Sequence, residues 1–213
     1  MLPSFDHHLS TELCSIMEKY GSDKGSSDMK GWHNYTTLYH ALFADKRTVV
    51  TNVFELGLGT NFTDVPSNMG VHGKPGASHH GWAEYFPNAH VYGADIDRRI
   101  LFNTDRITTY YCDQTNPDTI KQMWNKIPYD FDVIVEDGLH TFSANKCFFE
   151  NSIHKLAVGG TYIIEDILNK EVYLFEQQVR AWEAQYPSFS FEMVRIPHHN
   201  TFDNRLLVIK RIA

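Results

Sequence analysis

The chain has 213 residues, 42% of them hydrophobic and 21% charged, a balance that excludes disorder and suits one α/β domain. With 26 acidic residues against 19 Lys and Arg the formal charge is −7, which leaves no basic excess to neutralise a nucleic-acid backbone. No apolar run approaches the roughly 20 residues of a membrane helix, and MLPSFDHHLSTELC shows no basic region followed by an apolar one, so no signal peptide is expected. Cys14, Cys112 and Cys147 lack C-x-x-C spacing and are expected as free thiols in a reducing cytoplasm.

In chain order, residues 10–19 and 35–45 carry apolar positions at helical spacing, and GSDKGSSDMKG between them reads as a loop. From Val49 short apolar runs take over: 48–57, 89–97, 106–113, 131–137 and 159–167. Each is rich in β-branched and aromatic residues and closes near an acid or a glycine. Helical patterns over 78–86, 116–126, 142–156 and 170–186 separate them. Strands apolar on both faces, alternating with helices, predict a Rossmann-like doubly wound parallel sheet. After Tyr186, SFSFEMVRI and NRLLVIKRI lie close together and predict a C-terminal antiparallel hairpin at the sheet's edge, giving seven strands in all.

The long irregular stretch from Thr60 to Ser78 follows the first strand, at the edge where such sheets bind ligands. Just before it, Glu55, Gly57 and Gly59 stand in ELGLG, where glycines permit a tight turn and close approach of a ligand. A nicotinamide fingerprint would need a glycine where Phe62 stands, and an acid nearer than Asp95. The acid ahead of the glycines is instead similar to the first motif of S-adenosylmethionine (SAM) methyltransferases. Asp95, with Asp97 as its competitor, is placed to accept from ribose hydroxyls. Asp113, with Gln114 beside it, is placed to accept from an adenine amino group. Each aspartate alone also reads as a solvated loop residue, and the glycines as a plain strand-to-helix turn.

FDVIVEDGLH ends a strand in Asp137 and sets His140 three residues on, and GGTYIIEDI ends the next in Glu165 and Asp166. In a 3-2-1-4-5 sheet these strand ends are neighbours. Three converging carboxylates repel unless a cation joins them, and a hard divalent ion such as Mg²⁺ is the expected partner; the alternative is that some of them cap helices. His140 then suits removal of a hydroxyl proton during methyl transfer.

Together GSDKG, HNYTTLY, ELGLG, YFPNAHVYGADID, CDQTNP, VEDGLH and GGTYIIEDI resemble the metal-dependent class I O-methyltransferases of the macrocin and mycinamicin type, which act on macrolide sugars. The resemblance covers residues 18–212. It implies a SAM-dependent enzyme with Mg²⁺ on Asp137, Glu165 and Asp166, His140 as general base, and the ELGLG turn, Asp95, Asp113 and Gln114 on the cofactor. Residues 1–213 are expected to form one methyltransferase domain, with 1–47 as a helical lid and 48–213 as the core. The acceptor is expected to be a small-molecule or glycan hydroxyl, not nucleic acid or membrane, and a homo-oligomer is compatible with the sequence. Leu139 stands where relatives have serine, and the 60–78 loop departs from their glycine-rich turn. A catechol-type metal-dependent methyltransferase and a non-catalytic SAM-binding partner protein are the alternatives. Of the 12 histidines, His72, His79 and His80 are candidates to touch substrate, and His198 and His199 are expected in solvent. Ser22, Asp23, Lys24, His33 and Tyr35 are the polar groups of the lid segment, each also readable as surface.

Overall fold

The computed structural model describes residues 2–213; Met1 lies outside the described residues. The strands are β1 (Asn52–Leu56), β2 (His90–Asp95), β3 (Ile107–Tyr111), β4 (Phe131–Glu136), β5 (Leu156–Ile164), β6 (Phe189–Arg195) and β7 (Arg205–Arg211). They form one sheet in the order β3-β2-β1-β4-β5-β7-β6. The first five are parallel, and β7 pairs antiparallel with both β5 and β6. The doubly wound plan with a terminal hairpin is therefore as expected. β5 begins at Leu156, ahead of its expected run, with a bulge opposite Phe131 and Val133 and Gly159 at φ +81°.

The helices are α1 (Glu12–Tyr20), α2 (Tyr35–Phe43), α3 (Ala77–Tyr85), α4 (Pro117–Trp124), α5 (Phe142–Ser152) and α6 (Val172–Gln185). Local chemistry sets their ends. Thr11 caps α1 by accepting from the Cys14 amide, and Gly21 closes it at φ +85°. Asn116 caps α4 ahead of Pro117.

Strand alternation divides the core into two layers. Phe54, Leu56, Ile134, Tyr162 and Ile164 meet Ile120, Met123, Phe148, Phe149, Phe175 and Trp182 of α4, α5 and α6. On the other face Val53, Val91, Val133, Val135 and Ile163 meet Leu13, Met17, Leu38, Tyr39, Trp82 and Tyr85 of α1, α2 and α3. The two N-terminal helices are thus packed against the sheet, and the loop between them, with Tyr35 and Tyr39 of α2, reaches the strand ends. Among the described residues no helix is long and apolar enough to cross a membrane.

The order reverses between β1 and β4, which leaves a crevice at their carboxyl ends. Gly57 fixes its floor. Its amide donates to Ala94 O at 2.8 Å, and a Cβ there would stand 1.7 Å from the Asp137 carbonyl oxygen at φ +94°. Overlap with a backbone atom and a left-handed φ act together, so Gly57→Ala is expected to lose on the order of 3 kcal/mol or more, read by urea unfolding.

Candidate active site

A cleft of about 230 Å³ opens at this crevice. Gly57, Gly59, Asp95, Asp113 and Gln114 line it, joined by Thr60, Val65, Ser67 and Met69 of the long loop and by Asp137, His140 and Asp166. Five of the six residues expected on the cofactor are therefore together. Asp95 accepts from the Leu58 amide at 2.7 Å and the Asp97 amide at 2.8 Å, which aligns the two loops, and burial pushes its carboxyl up. Its competitor Asp97 is taken by Arg99 at 2.7 Å and Thr60 at 2.7 Å, and the guanidinium brings its carboxyl down to about 2. Asp97 does not line the cleft. The long loop folds back on itself: the Met69 amide donates to Thr60 O, and Ser67 reaches the Leu139 carbonyl at 3.1 Å.

Glu55 is the exception. It shares a strand face with Val53, so its side chain enters the α3 layer, where Ser78 donates at 2.8 Å and Trp82 Nε1 at 2.5 Å. Glu165 follows the parity of Ile163 and also enters this layer, receiving a short hydrogen bond from the Tyr39 hydroxyl. Between them lies Lys24, 1% exposed, from the GSDKG loop. Its ammonium is 3.1 Å from Glu55, 2.6 Å from Asp137 Oδ2, and in a short contact with Glu165. Burial alone would lower the lysine's pKa; Asp137, Glu165 and Glu55 outweigh it and hold the ammonium well above its ordinary value. The surface reading of Lys24, His33 and Tyr35 is overturned, since all three are buried.

Asp137, His140 and Asp166 each offer a ligand atom within 4.8 Å of the others. His140 Nε2 is 2.9 Å from Asp137 Oδ1, and its Nδ1 is 3.5 Å from Asp166 Oδ2. Tyr35 donates to Asp166 Oδ1 at 2.7 Å, and the otherwise unpartnered His33 Nε2 stands 3.4 Å from the same oxygen. His140 and Asp166 both adopt left-handed backbone, at φ 56° and 55°, a conformation a packed site sustains at a cost of about 1–3 kcal/mol each. Burial lowers the imidazole pKa, but Asp166 and Asp137 outweigh it and raise it to about 9. Asp137, half-buried, is driven well below the usual carboxylate range by Lys24 and His140. Two carboxylates converging on the cleft fit a hard divalent cation, which takes oxygen ligands, with the imidazole standing beside them. Glu165, expected as a third ligand, stands outside this trio because its side chain turns to Lys24 and Tyr39.

Other sequence expectations are also corrected. His79 is buried, with Nε2 3.3 Å from the Glu55 carbonyl, and packs against Gly93, so it is core. His80 stacks between Tyr20 and Phe102, and His72 is exposed and does not line the cleft. His198 is half-buried, its Nδ1 accepting from the Asn200 amide, while His199 is exposed.

Sequence reasoning missed Lys24 as a site residue and Glu136 altogether. Glu136, fully buried at the end of β4, accepts from Gln114 at 2.6 Å, Asn145 at 2.7 Å and Tyr162 at 2.6 Å. Gln114 in turn accepts from the Leu139 amide at 2.7 Å, so Glu136 braces the turn that carries His140. The signal was available, since Glu136 shares the strand parity of Ile134 and was bound to enter a core layer. Burial, opposed by these three hydrogen bonds, raises its pKa from 4.5 to about 8. The folded state then holds a proton that the unfolded state has released, so stability falls as pH rises from 4.5 to about 8. Glu136→Gln is expected to remove this part of the slope, checked by urea unfolding of both proteins between about pH 5 and 8.

No protein-family model matches the sequence. The chain is 29% identical over 155 residues to the 8-demethyl-8-alpha-L-rhamnosyl tetracenomycin-C 2'-O-methyltransferase of Streptomyces olivaceus, a match covering 73% of this chain and 37% of that one. It is 26% identical over 181 residues to the demethylmacrocin O-methyltransferase of Streptomyces fradiae, covering 84% and 38%. The chain thus spans less than two fifths of the length of these curated relatives. Among solved structures, the MycE methyltransferase of the mycinamycin biosynthetic pathway, in complex with Mg and SAH, superimposes with a TM-score of 0.71 at 20% identity. That match covers 95% of this chain and 55% of MycE. The chain has the Rossmann-like class I methyltransferase fold and is similar in sequence to O-methyltransferases of glycosylated natural products.

Proposed function

We propose that this protein is a SAM-dependent, divalent-metal-dependent O-methyltransferase acting on a hydroxyl of a sugar or glycosylated compound. The observation that carries the reading is the Asp137–His140–Asp166 trio opening into the same cleft as Gly57, Gly59, Asp95 and Asp113. Relatives named as O-methyltransferases, one of them of a rhamnosyl compound, and a neighbour of the same fold in complex with Mg and SAH support it.

In this reading Gly57 and Gly59 let the cofactor approach the backbone, Asp95 accepts from the ribose hydroxyls, and Asp113 with Gln114 borders the adenine. Asp137 and Asp166 hold the cation, and Glu165 joins them only by turning away from Lys24 and Tyr39. A bound Mg²⁺ supplies Lewis acidity toward the acceptor hydroxyl, and SAM supplies the methyl group. His140 receives the hydroxyl proton at a ring nitrogen. That role needs a free imidazole, so Asp137 and Asp166 must be neutralised by a cation before the ring's raised pKa falls toward working pH. Alignment of acceptor oxygen and methyl group along the cleft contributes much of the rate. Residues 1–213 work as one unit, with 48–213 carrying the cofactor and the 21–34 loop of the 1–47 segment closing the metal side. A cytoplasmic setting agrees with the three free thiols. The partner is a small molecule or glycan rather than nucleic acid or membrane.

The test is methyl transfer from SAM across vicinal-diol sugars and catechols, with and without chelator. Sugar turnover that chelation abolishes is expected. Turnover of catechols alone would overturn the acceptor class; SAM binding with no metal-dependent transfer to any acceptor would favour a non-catalytic partner protein. Asp137→Asn and Asp166→Asn are each expected to lower turnover at least about 100-fold with S-adenosylhomocysteine binding retained. His140→Ala is expected to lower kcat by about 10²–10⁴-fold with cofactor affinity unchanged.

A further inference from the structure

The metal reading leaves Lys24 without a task. A buried lysine needs partners, yet this one has three carboxylates drawn from three strand ends: Glu55 at 3.1 Å, Asp137 at 2.6 Å, and Glu165 in short contact. Two of them, Asp137 and Glu165, are also the acids expected on the cation. Asp137 is divided between two cationic neighbours, Oδ2 to Lys24 and Oδ1 to His140. Glu165 is committed to Lys24 and to the Tyr39 hydroxyl. Glu55 differs from both, because Ser78 and Trp82 hold it inside the α3 layer.

We propose that Lys24 is a positioning residue of the metal site, a resident ammonium that keeps Asp137 and Glu165 paired in the metal-free protein and competes with the divalent cation for them. Glu55 is its fixed anchor, so the ammonium withdraws toward Glu55 and stays in the site when the two shared carboxylates turn to the cation. Because Lys24 lies on the loop that joins α1 to α2, the same contact ties closure of that loop to the state of the metal site. The ammonium weakens metal binding by placing a like charge beside the ligands, and in exchange keeps the carboxylates from being buried unpaired before metal arrives.

This inference rests on the metal reading above. It is tested by calorimetric titration of Mg²⁺ alone into the full chain and into Lys24→Met, with thermal unfolding of each at zero and saturating Mg²⁺. Lys24→Met is expected to bind Mg²⁺ at least about tenfold more tightly. It is also expected to be less stable than the parent without metal and to gain more in Tm on adding it. Equal or weaker Mg²⁺ binding by a folded Lys24→Met, beside clear binding by the parent, would overturn the role of Lys24 and leave the metal reading standing. No Mg²⁺ binding by the parent would overturn both. If Lys24→Met does not fold, lysine-¹⁵N NMR of the parent decides: the Lys24 ammonium signal is expected to shift and exchange faster with saturating Mg²⁺. An unmoved signal would overturn the proposal.

Discussion

Carboxylates crowded at the carboxyl edge of a parallel sheet repel, and the fold depends on the cations that hold them. Glu55 lies one residue before the end of β1, Asp137 follows β4, and Glu165 and Asp166 follow β5, at the ends of neighbouring strands. Inside a protein such repulsion is far stronger than in water. Two internal cations answer it, the Lys24 ammonium and the raised His140 imidazole. The four acids outnumber these two cations at the edge. The chain's net charge of −7 thus has a local counterpart in the site.

Strand parity assigns the acids their different tasks. Along β1 and β5 the alternation sends Glu55 and Glu165 into the layer of α1, α2 and α3, where tyrosine, tryptophan, serine and lysine receive them. Glu136 takes the opposite parity and enters the other layer, where it braces Gln114 and the turn before His140. Asp137 and Asp166, past the ends of β4 and β5, line the open cleft. The left-handed backbone at His140 and Asp166 completes that arrangement. The same sheet edge therefore carries enclosed acids and cleft-lining ones at adjacent positions.

The architecture was legible because hydrophobic runs and breaks are local signals. All seven strands and six helices fall on segments whose period or punctuation announced them, and GxG after β1 marked the crevice correctly. Glu55 stands beside the glycines in sequence, but the parity of its own strand, which NVFEL displays, turns its side chain to Ser78 and Trp82. Lys24 and Glu165 could not be paired from sequence, since their contact joins residues 141 positions apart. A lysine in a loop of serines and glycines reads as solvated until the fold lays that loop over the strand ends. His79 was misread for the related reason that a helix start beside a long loop looks exposed, whereas α3 turns it under Gly93.

What unites these features is the claim that one cleft serves both the cofactor and a divalent cation. The most direct measurement is anomalous diffraction from crystals grown with S-adenosylhomocysteine and Mn²⁺. The account predicts an anomalous peak bonded to Asp137 and Asp166 beside His140, with the nucleoside bordered by Asp95 and Asp113. Well-ordered S-adenosylhomocysteine in the cleft with no peak at these aspartates, or a peak elsewhere, would contradict it.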